Sequence, residues 1–243
     1  MNLKLSLVTI LFCGWMLWAP PAFSADFVTK GDIRKSSVEM FKSFFTEEKC
    51  DQILIDTFTI CYDHERKSPT AVYVEVTGPT VVEDIDKRPP FFTDKRVEKE
   101  YRTTSKDYTN TGYDRGHFGA SDASHDWDKK HQKATYSMAN IVPQTPFANR
   151  YKFIALEKHE REMAVKYGRL ENLTIAFWNN RPKKIGKSQL HVPSAFAKLY
   201  TDGKGYKECF FVWNNDVYDK SNGQDPNKYK QNCDVVTAMW GTQ

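Results

Sequence analysis

Two short stretches decide the fold of this chain: YDRGH at residues 113–117 and SMANIVPQ at residues 137–144. The first contains His117, whose unperturbed pKa near neutrality suits it to take a proton from water. It also contains Arg115, which can direct two N–H donors onto the oxygens of one phosphate group. The second contains Asn140, whose amide oxygen is a hard ligand suited to Mg²⁺. Together these side chains predict a site that hydrolyses a phosphate ester with the help of a cation.

Each of these residues also has an ordinary structural explanation. A single histidine is more often a surface or core residue than a catalyst, and a single asparagine usually belongs to a turn or a cap. The pair Asp114 and Arg115 could be a surface ion pair of little consequence. The prediction therefore depends on the combination of residues and not on any one of them.

The chain resembles the DNA/RNA non-specific endonuclease family, the ββα-metal nucleases, over about residues 50–215. After Asn140 the family pattern continues at Pro143, Gln144, Asn149, Leu156 and Glu157, with Phe153 in place of a tryptophan. Residues 62–76 resemble the first hairpin of the family, and residues 192–198 resemble its late strand. The chain departs from the pattern directly after His117, where residues 118–121 read FGAS. The loop behind the histidine is therefore expected to have its own shape.

The resemblance implies an α+β fold, with a central antiparallel sheet flanked by helices and a ββα-metal site. It implies hydrolysis of DNA and RNA without sequence preference, giving products with 5′-phosphates. His117 would be the general base, and Mg²⁺, with Mn²⁺ as a substitute, would be held by Asn140. Families of this type carry an arginine in the region that corresponds to residues 78–104, so Arg88 is predicted to bind substrate. No base-reading module is visible, which agrees with contacts made mainly to phosphates.

A helix is predicted over residues 146–167, ending at Gly168. Phe153 and Leu156 would face the core from one side of this helix. Asn149 and Glu157 extend the same face, so Asn149 is predicted to contact substrate and Glu157 to act near the water shell of the metal.

Other polar residues of this region leave alternatives open. Glu157 could instead form an exposed ion pair with Arg161, one turn further along the helix. Arg150 is predicted to be a second catalytic clamp on the phosphate, beside Arg115. His125 and His131 are rival metal ligands, although their surroundings are typical of an exposed polar segment.

Strands are predicted over residues 52–62, 70–77, 173–178 and 208–217, and a turn over residues 63–69. The site motif is predicted to use residues 114–117 as one strand and 135–138 as the other. The segment between the later strands carries Lys183, Lys184 and Lys187. This basic loop could help to hold a polyanion, although a run of lysines is most often a solvated surface.

The N-terminus is typical of a secretory signal, with a short basic start, an apolar run and small residues before Ala25. We predict a signal peptide at residues 1–24 and a secreted or periplasmic protein, although an uncleaved membrane anchor is the alternative. Residues 25–243 are predicted to form a single domain with an N-terminal helical extension at residues 27–48. No second apolar run is long enough to span a membrane, so we expect the mature form not to be attached to a membrane.

Cysteine usage agrees with export. Beyond the predicted signal peptide four cysteines remain, Cys50, Cys61, Cys209 and Cys233. An even number in an exported chain predicts disulfide bonds, and three pairings are possible. We favour Cys50 with Cys61 and Cys209 with Cys233, because each pair joins neighbours in sequence. A zinc site is the rival interpretation, but no Cys-x-x-Cys spacing occurs.

The net charge sets limits on how nucleic acid could bind. The formal charge is +4, and removal of residues 1–24 takes away one lysine and no acid, which leaves +3. Binding must therefore depend on a local basic surface. Two other classes of protein remain as alternatives: a non-catalytic nucleic-acid-binding protein on this fold, and a metallohydrolase of small phosphoesters. The sequence also leaves open the oligomeric state and whether an inhibitor protein exists.

Overall fold

The computed structural model of the protein describes residues 44–81, 85, 87–125, 127–217 and 223–240. The predicted signal peptide and most of the predicted helix over residues 27–48 lie outside these residues. The end of that segment, residues 44–48, forms turns and not a helix. Within the described part of the chain, every helix is too short or too polar to cross a bilayer.

Eleven strands are present in the described ranges, and all of their pairings are antiparallel. They are β1 Gln52–Ile55, β2 Thr59–Asp63, β3 Ser68–Thr77, β4 Asp114–His117, β5 Ile141–Gln144, β6 Arg169–Phe177, β7 Lys184–Ile185, β8 Leu190–His191, β9 Ala195–Thr201, β10 Lys207–Trp213 and β11 Lys230–Gln231. Seven of them form the central sheet in the order β1-β2-β3-β6-β9-β10-β11. The other four form two separate hairpins, β4–β5 and β7–β8.

The helices lie on both sides of this sheet. The α-helices are α1 Lys129–Thr135, α2 Ile154–Tyr167 and α3 Cys233–Trp240, and a π-helix Ala148–Phe153 leads directly into α2. Short 3₁₀ helices occur at Lys99–Tyr101, Ser105–Tyr108, Asp122–Ser124, Met138–Asn140 and Pro226–Tyr229. The predicted α+β class, with a central antiparallel sheet and flanking helices, is confirmed.

Side chains alternate between the two faces of the sheet, because successive residues of a strand point to opposite sides. Tyr73 and Ile175 belong to the apolar cluster that includes Val236 of α3. Val72 and Phe196 belong to the opposite cluster, which includes Phe153 of the π-helix. Complete burial of one such side chain contributes about 1.5–3 kcal/mol. The second cluster is the support on which the β4–β5 hairpin and the helix after it are held.

The favoured disulfide pairing is confirmed. Cys50, which precedes β1, is joined to Cys61 of β2, and Cys209 of β10 is joined to Cys233 of α3. Because all four cysteines are used in these bonds, the rival zinc site is wrong.

Two predicted elements around the site motif and the first hairpin also differ from the structure. The first predicted strand, residues 52–62, is a hairpin of two strands that turns where Asp56 N donates to Phe58 O at 3.1 Å. The predicted strand over residues 135–138 is wrong. Its start is the end of α1, whose first turn is capped by Asp128, and the second strand of the motif is β5. The helix over residues 146–167 is confirmed, and Gly168 ends it in the left-handed conformation, with φ of 80°.

Candidate active site

The β4–β5 hairpin carries the first half of the site. Its register pairs Arg115 with Pro143 and His117 with Ile141. Alternation along β4 puts Arg115 and His117 on one face, and both contact Phe91. The guanidinium of Arg115 lies 5.0 Å from the centre of the Phe91 ring, and the His117 ring lies 5.8 Å from it. The predicted base and the predicted phosphate ligand therefore share one surface.

Gly116 separates these two residues for a steric reason. A Cβ atom at this position would lie 2.2 Å from the side chain of Gln144 on β5. The same glutamine donates from Nε2 to the main-chain oxygen of His117 at 3.2 Å. Gly116 and Gln144 thus fix the end of β4 from which the His117 ring projects.

His117 is held in a largely apolar recess. The edge of its ring meets Tyr136 at a centroid distance of 4.8 Å, and its Nε2 lies 3.4 Å from the Thr135 hydroxyl. Burial lowers the pKa of His117 to about 3, and the charges of Arg88 and His125 act in the same direction. The imidazole is therefore neutral at physiological pH, which is the form that can accept a proton.

Asn140 has a different role from the predicted one. Its side chain is completely buried. The amide nitrogen donates to the main-chain oxygens of Ala120 and Thr135, at 2.8 and 2.9 Å. The amide oxygen accepts from the main-chain N–H groups of Gly119 and Ala120, both at 3.3 Å. Because the oxygen already has two donors and no exposed surface, the predicted role of Asn140 as metal ligand is wrong for this geometry. Asn140 instead fixes the loop that follows His117.

Asn149 lies on the opposite side of the hairpin, at the start of the helix. Its Nδ2 donates to Asp114 Oδ2 at 3.0 Å. The side chain is partly exposed, and no described residue donates a hydrogen bond to its Oδ1. An amide oxygen held in place but without a donor is a suitable ligand for a hard cation.

Asp114 is a residue whose role the sequence did not reveal. Although it is adjacent to Arg115 in sequence, its carboxylate contacts the helix, at Asn149 and Arg150. Arg150 donates to both oxygens of Asp114, from Nε at 2.8 Å and from Nη2 at 2.9 Å. These hydrogen bonds are the main reason that the pKa of Asp114 is lowered. Arg150, whose side chain is 62% exposed, therefore uses part of its fork within the protein.

The π-helix Ala148–Phe153 contains both Asn149 and Arg150. Such widened turns are rare and occur frequently at functional sites, because they change the direction of side chains within a helix. Phe153, at its end, is buried, as is Leu156 in the next turn. This confirms that the predicted apolar face anchors the helix on the core.

Glu157 is partly exposed at the surface. Burial raises its pKa to about 7, while Lys198 opposes the shift and Asp122 adds to it. The alternative interpretation was an ion pair with Arg161. In the structure Arg161 donates to the main-chain oxygen of Glu157, at 3.2 Å. The hydrogen bond is therefore made to the helix backbone and not to the Glu157 carboxyl group.

Arg88 and Asp122 connect His117 to Glu157. Arg88 Nε lies 2.9 Å from Asp122 Oδ2, and the arginine side chain remains 74% exposed. The charge of Arg88 lowers the pKa of His117, and the charge of Asp122 raises that of Glu157. The two partners of the ion pair therefore act electrostatically on the two site residues. Asp122 was not predicted, because only the folded loop brings it to Arg88.

One ion pair, one hydrogen bond, two charge interactions and two chain segments link these residues in a ring. From His117 it passes through Arg88 and Asp122 to Glu157, and along the helix to Asn149. From there it returns through Asp114 and along β4 to His117, a distance of about 10 Å between Cα atoms for three strand residues.

A buried polar network holds the turn that carries Asp122. Glu160 accepts hydrogen bonds from Ser124 at 3.0 Å and from Asn172 at 2.6 Å. The ammonium group of Lys198 lies 3.9 Å from the same carboxylate, and both side chains are buried. Removing one partner of such a pair leaves an uncompensated buried charge, so this network fixes the position of the Asp122–Ser124 turn.

The two rival histidine ligands do not meet. Nδ1 of His125 is hydrogen-bonded to the main-chain oxygen of Ser121 at 2.9 Å, and His131 contacts Asp128. Among the described residues there is no group of three or more His, Cys, Asp or Glu side chains that could hold a metal. The donor set at Asn149 fits Mg²⁺, which usually keeps several waters and takes one or two protein ligands together with substrate phosphate.

The unit β4, β5 and the following helix is the strand–strand–helix arrangement of the ββα-metal class. The model of the DNA/RNA non-specific endonuclease family matches residues 36–242. The chain belongs to this family.

Relatives and solved structures agree with this assignment. Endonuclease G, mitochondrial, from Homo sapiens is 28% identical over 155 residues, 59% of this chain and 52% of that protein. A protein named Nuclease from Nostoc sp. is 36% identical over 98 residues, 40% of this chain and 35% of its own length. The chain thus spans about half the length of the mitochondrial relative that it matches. A chain of the crystal structure of the EndoG/EndoGI complex has the same fold, with a TM-score of 0.71, 22% identity and coverage of 86% of this chain and 91% of its own.

Proposed function

We propose that this protein is a divalent-cation-dependent endonuclease that hydrolyses phosphodiester bonds in DNA and RNA without base preference. The observation that carries the proposal is the ring described above, which links a neutral histidine and two exposed arginines to an amide oxygen that has no donor among the described residues. Family membership supports the same reaction class. The alternatives, a binding protein and a metallohydrolase of small phosphoesters, do not account for all of these groups as well.

In this proposal His117 removes a proton from the attacking water. Its lowered pKa keeps the imidazole neutral, and contact with Phe91 and Tyr136 fixes the direction of the ring. Thr135, 3.4 Å from Nε2, helps to orient it. General-base catalysis of this kind contributes typically 10²–10⁴-fold to a rate.

The arginines hold the phosphate. Arg115 and Arg88 have exposed guanidinium groups on the side of His117, so they can stabilise the charge that develops on the phosphate oxygens. Arg150 uses two of its five N–H donors on Asp114, and its side chain is 62% exposed. We therefore assign Arg150 first to positioning Asp114 and through it Asn149, and second to substrate contact.

Asn149 takes over the role predicted for Asn140, as the ligand of Mg²⁺ or Mn²⁺. The cation, when bound, neutralises charge on the phosphate and on the leaving oxygen. Glu157 lies two turns along the same helix and can accept hydrogen bonds from water beside Asn149.

Location and partners complete the proposal. Two disulfides are typical of oxidising compartments, which supports export after cleavage near Ala25 to give a secreted or periplasmic protein. N-terminal sequencing of the exported protein tests this. The named neighbour structure is a complex with an inhibitor. An inhibitor of this chain would need to cover Arg88 and Arg115, and so would present acidic groups to them.

The test of the function uses the mature chain with plasmid DNA, linear duplex and RNA, in Mg²⁺, in Mn²⁺ and in EDTA. We expect cleavage of all three substrates with either cation and none with EDTA. Binding without cleavage would favour the non-catalytic alternative. Hydrolysis of bis(p-nitrophenyl) phosphate alone, with nucleic acids intact, would favour the small-phosphoester alternative.

A further inference from the structure

The β7–β8 hairpin and the segment around it form a basic surface whose position the proposed reaction does not explain. Four exposed cations lie here, Arg181, Lys183, Lys184 and Lys187. The sequence contains no acidic residue between Glu171 and Asp202. None of the four cations forms an ion pair with any residue that the structure describes. Their charges are therefore not neutralised within this part of the protein.

The hairpin is fixed and not a loose loop. Ile185 and Leu190 pack in an apolar cluster with Ile141 of the site hairpin, and Phe91 and Tyr113 lie against the same cluster. Asp107 accepts from the main-chain N–H of Ser188 at 2.9 Å. At Gly186, where φ is 65°, a Cβ would lie 2.6 Å from the Asp107 backbone. The lysines are thus attached rigidly to the unit that carries His117.

Two pairs of a cation and an aromatic ring lie next to each other along this surface. Phe91 supports Arg115 at 5.0 Å, and Tyr113 supports Lys183 at 4.8 Å. Tyr113 and Arg115 are two residues apart, which corresponds to about 7 Å along a strand. A ring beneath a long cationic side chain restricts its position, so both charges are held ready for binding.

We propose that Lys183, positioned by Tyr113 and assisted by Lys184 and Lys187, binds the phosphates of the nucleic-acid strand that flank the bond being cut. The proposal rests on the proposed function and extends it, since it assigns a path for the substrate beyond Arg115. Contacts to phosphates suit a protein that does not read bases, because they are the same for every sequence.

The consequence is a dependence of affinity on substrate length. A strand long enough to reach from His117 past Tyr113 gains the lysine contacts, whereas a small phosphodiester does not. Each phosphate contact on a single strand contributes about 0.7 to the slope of log affinity against log salt concentration. Loss of three contacts should therefore lower that slope by about 2.

The experiment compares the wild type with the triple variant Lys183→Ala, Lys184→Ala, Lys187→Ala. The matched control is Lys204→Ala, Lys207→Ala, Lys228→Ala, which removes the same charge from exposed lysines outside the hairpin. KM and kcat are measured on single-stranded oligonucleotides of increasing length, in a salt series, and on bis(p-nitrophenyl) phosphate. For long strands we expect the hairpin variant to raise KM about tenfold with kcat within twofold, and the control to stay near wild type.

Tyr113 is tested as a positioning residue. Tyr113→Leu should raise KM on long strands and add nothing further in a Lys183→Ala background, whereas Tyr113→Phe should keep the wild-type value. Equal effects of the hairpin and control variants, or equal losses on short and long substrates, would overturn the proposed path. If the wild type cleaves no phosphodiester at all, the proposed function fails instead, so the two failures are distinguishable.

Discussion

The two sides of the β4–β5 hairpin each contribute an asparagine, and the two residues are in opposite situations. On the loop side, Asn140 is completely buried and its amide makes four hydrogen bonds. On the helix side, Asn149 is partly exposed, and among the described residues its side chain is hydrogen-bonded to Asp114 alone. Residue type and closeness to a motif therefore do not distinguish a structural asparagine from one that can bind a metal ion.

The physical reason is the cost of an unpaired buried group. A buried N–H or carbonyl without a partner costs about 1–3 kcal/mol. If Asn140 turned its oxygen toward a cation, the N–H groups of Gly119 and Ala120 would lose their acceptor. Asn149 can bind a cation without such a loss, since its oxygen has no donor in the described structure. The two asparagines have the same side chain, so the difference in their roles comes from their surroundings.

The largest effect is expected from Asn149→Ala. Groups that merely support a metal ligand change affinity or activity by 10- to 100-fold, so loss of the ligand should reduce cleavage by about 100-fold or more. The free energy of unfolding should change little, because the side chain is partly exposed. Cleavage rates over a Mg²⁺ series and urea unfolding measure the two quantities. An active Asn149→Ala protein with an unchanged Mg²⁺ requirement would show that Asn149 is not the cation ligand.

Asn140→Ala should show the reverse pattern. It leaves the oxygens of Ala120 and Thr135 and two main-chain N–H groups without partners, so we expect a loss of about 2–4 kcal/mol of stability. The folded fraction should keep the Mg²⁺ dependence of the wild type. Urea unfolding in parallel with the Mg²⁺ series checks this. Unchanged stability together with a weakened Mg²⁺ response would restore the metal role originally predicted for Asn140.

A smaller effect concerns the pH response of the loop side. Burial lowers the pKa of His125 to about 4, below its usual value of 6.5. As the pH falls from 6.5 towards 4, the unfolded chain binds a proton at His125 that the folded protein does not. The stability contribution of neutral His125 is therefore complete above pH 6.5 and is lost through this window, at up to about 1.4 kcal/mol per pH unit.

The variant His125→Asn isolates the contribution of His125 to the pH dependence of stability. Urea unfolding at several pH values should show that the wild type loses stability relative to the variant between pH 6.5 and 4. The comparison is made as a difference, because Glu157 and Glu160, whose pKa values are raised, change stability in the opposite direction. A difference that is constant across this range would show that His125 has the same pKa in the folded and unfolded protein.

Features set by local sequence could be predicted. The strand Asp114–His117, the helix that ends at Gly168 and both disulfides follow from spacing, capping and closeness in the chain. The error at residues 135–138 is also local, because Asp128 is an N-cap residue and marks the start of α1.

Features set by the tertiary structure could not be predicted. The pairing of Arg88 with Asp122, and of Asp114 with Arg150, joins residues 34 and 36 positions apart. The roles of the two asparagines depend on the loop after His117, whose backbone groups occupy Asn140. The π-helix, which directs Asn149 and Arg150, has no known signal in the sequence. In each case the required information is a contact between distant segments.

Chemical rescue tests whether His117 is the base and whether Asn149 has a different role, as the cation ligand. His117→Gly and Asn149→Ala are assayed on duplex DNA at saturating Mg²⁺, with and without added imidazole. We expect His117→Gly to lose at least about 100-fold in rate and to recover part of it in proportion to neutral imidazole, whereas Asn149→Ala should not respond. A His117→Gly variant within tenfold of the wild type, or an equal response of both variants to imidazole, would show that His117 is not the base.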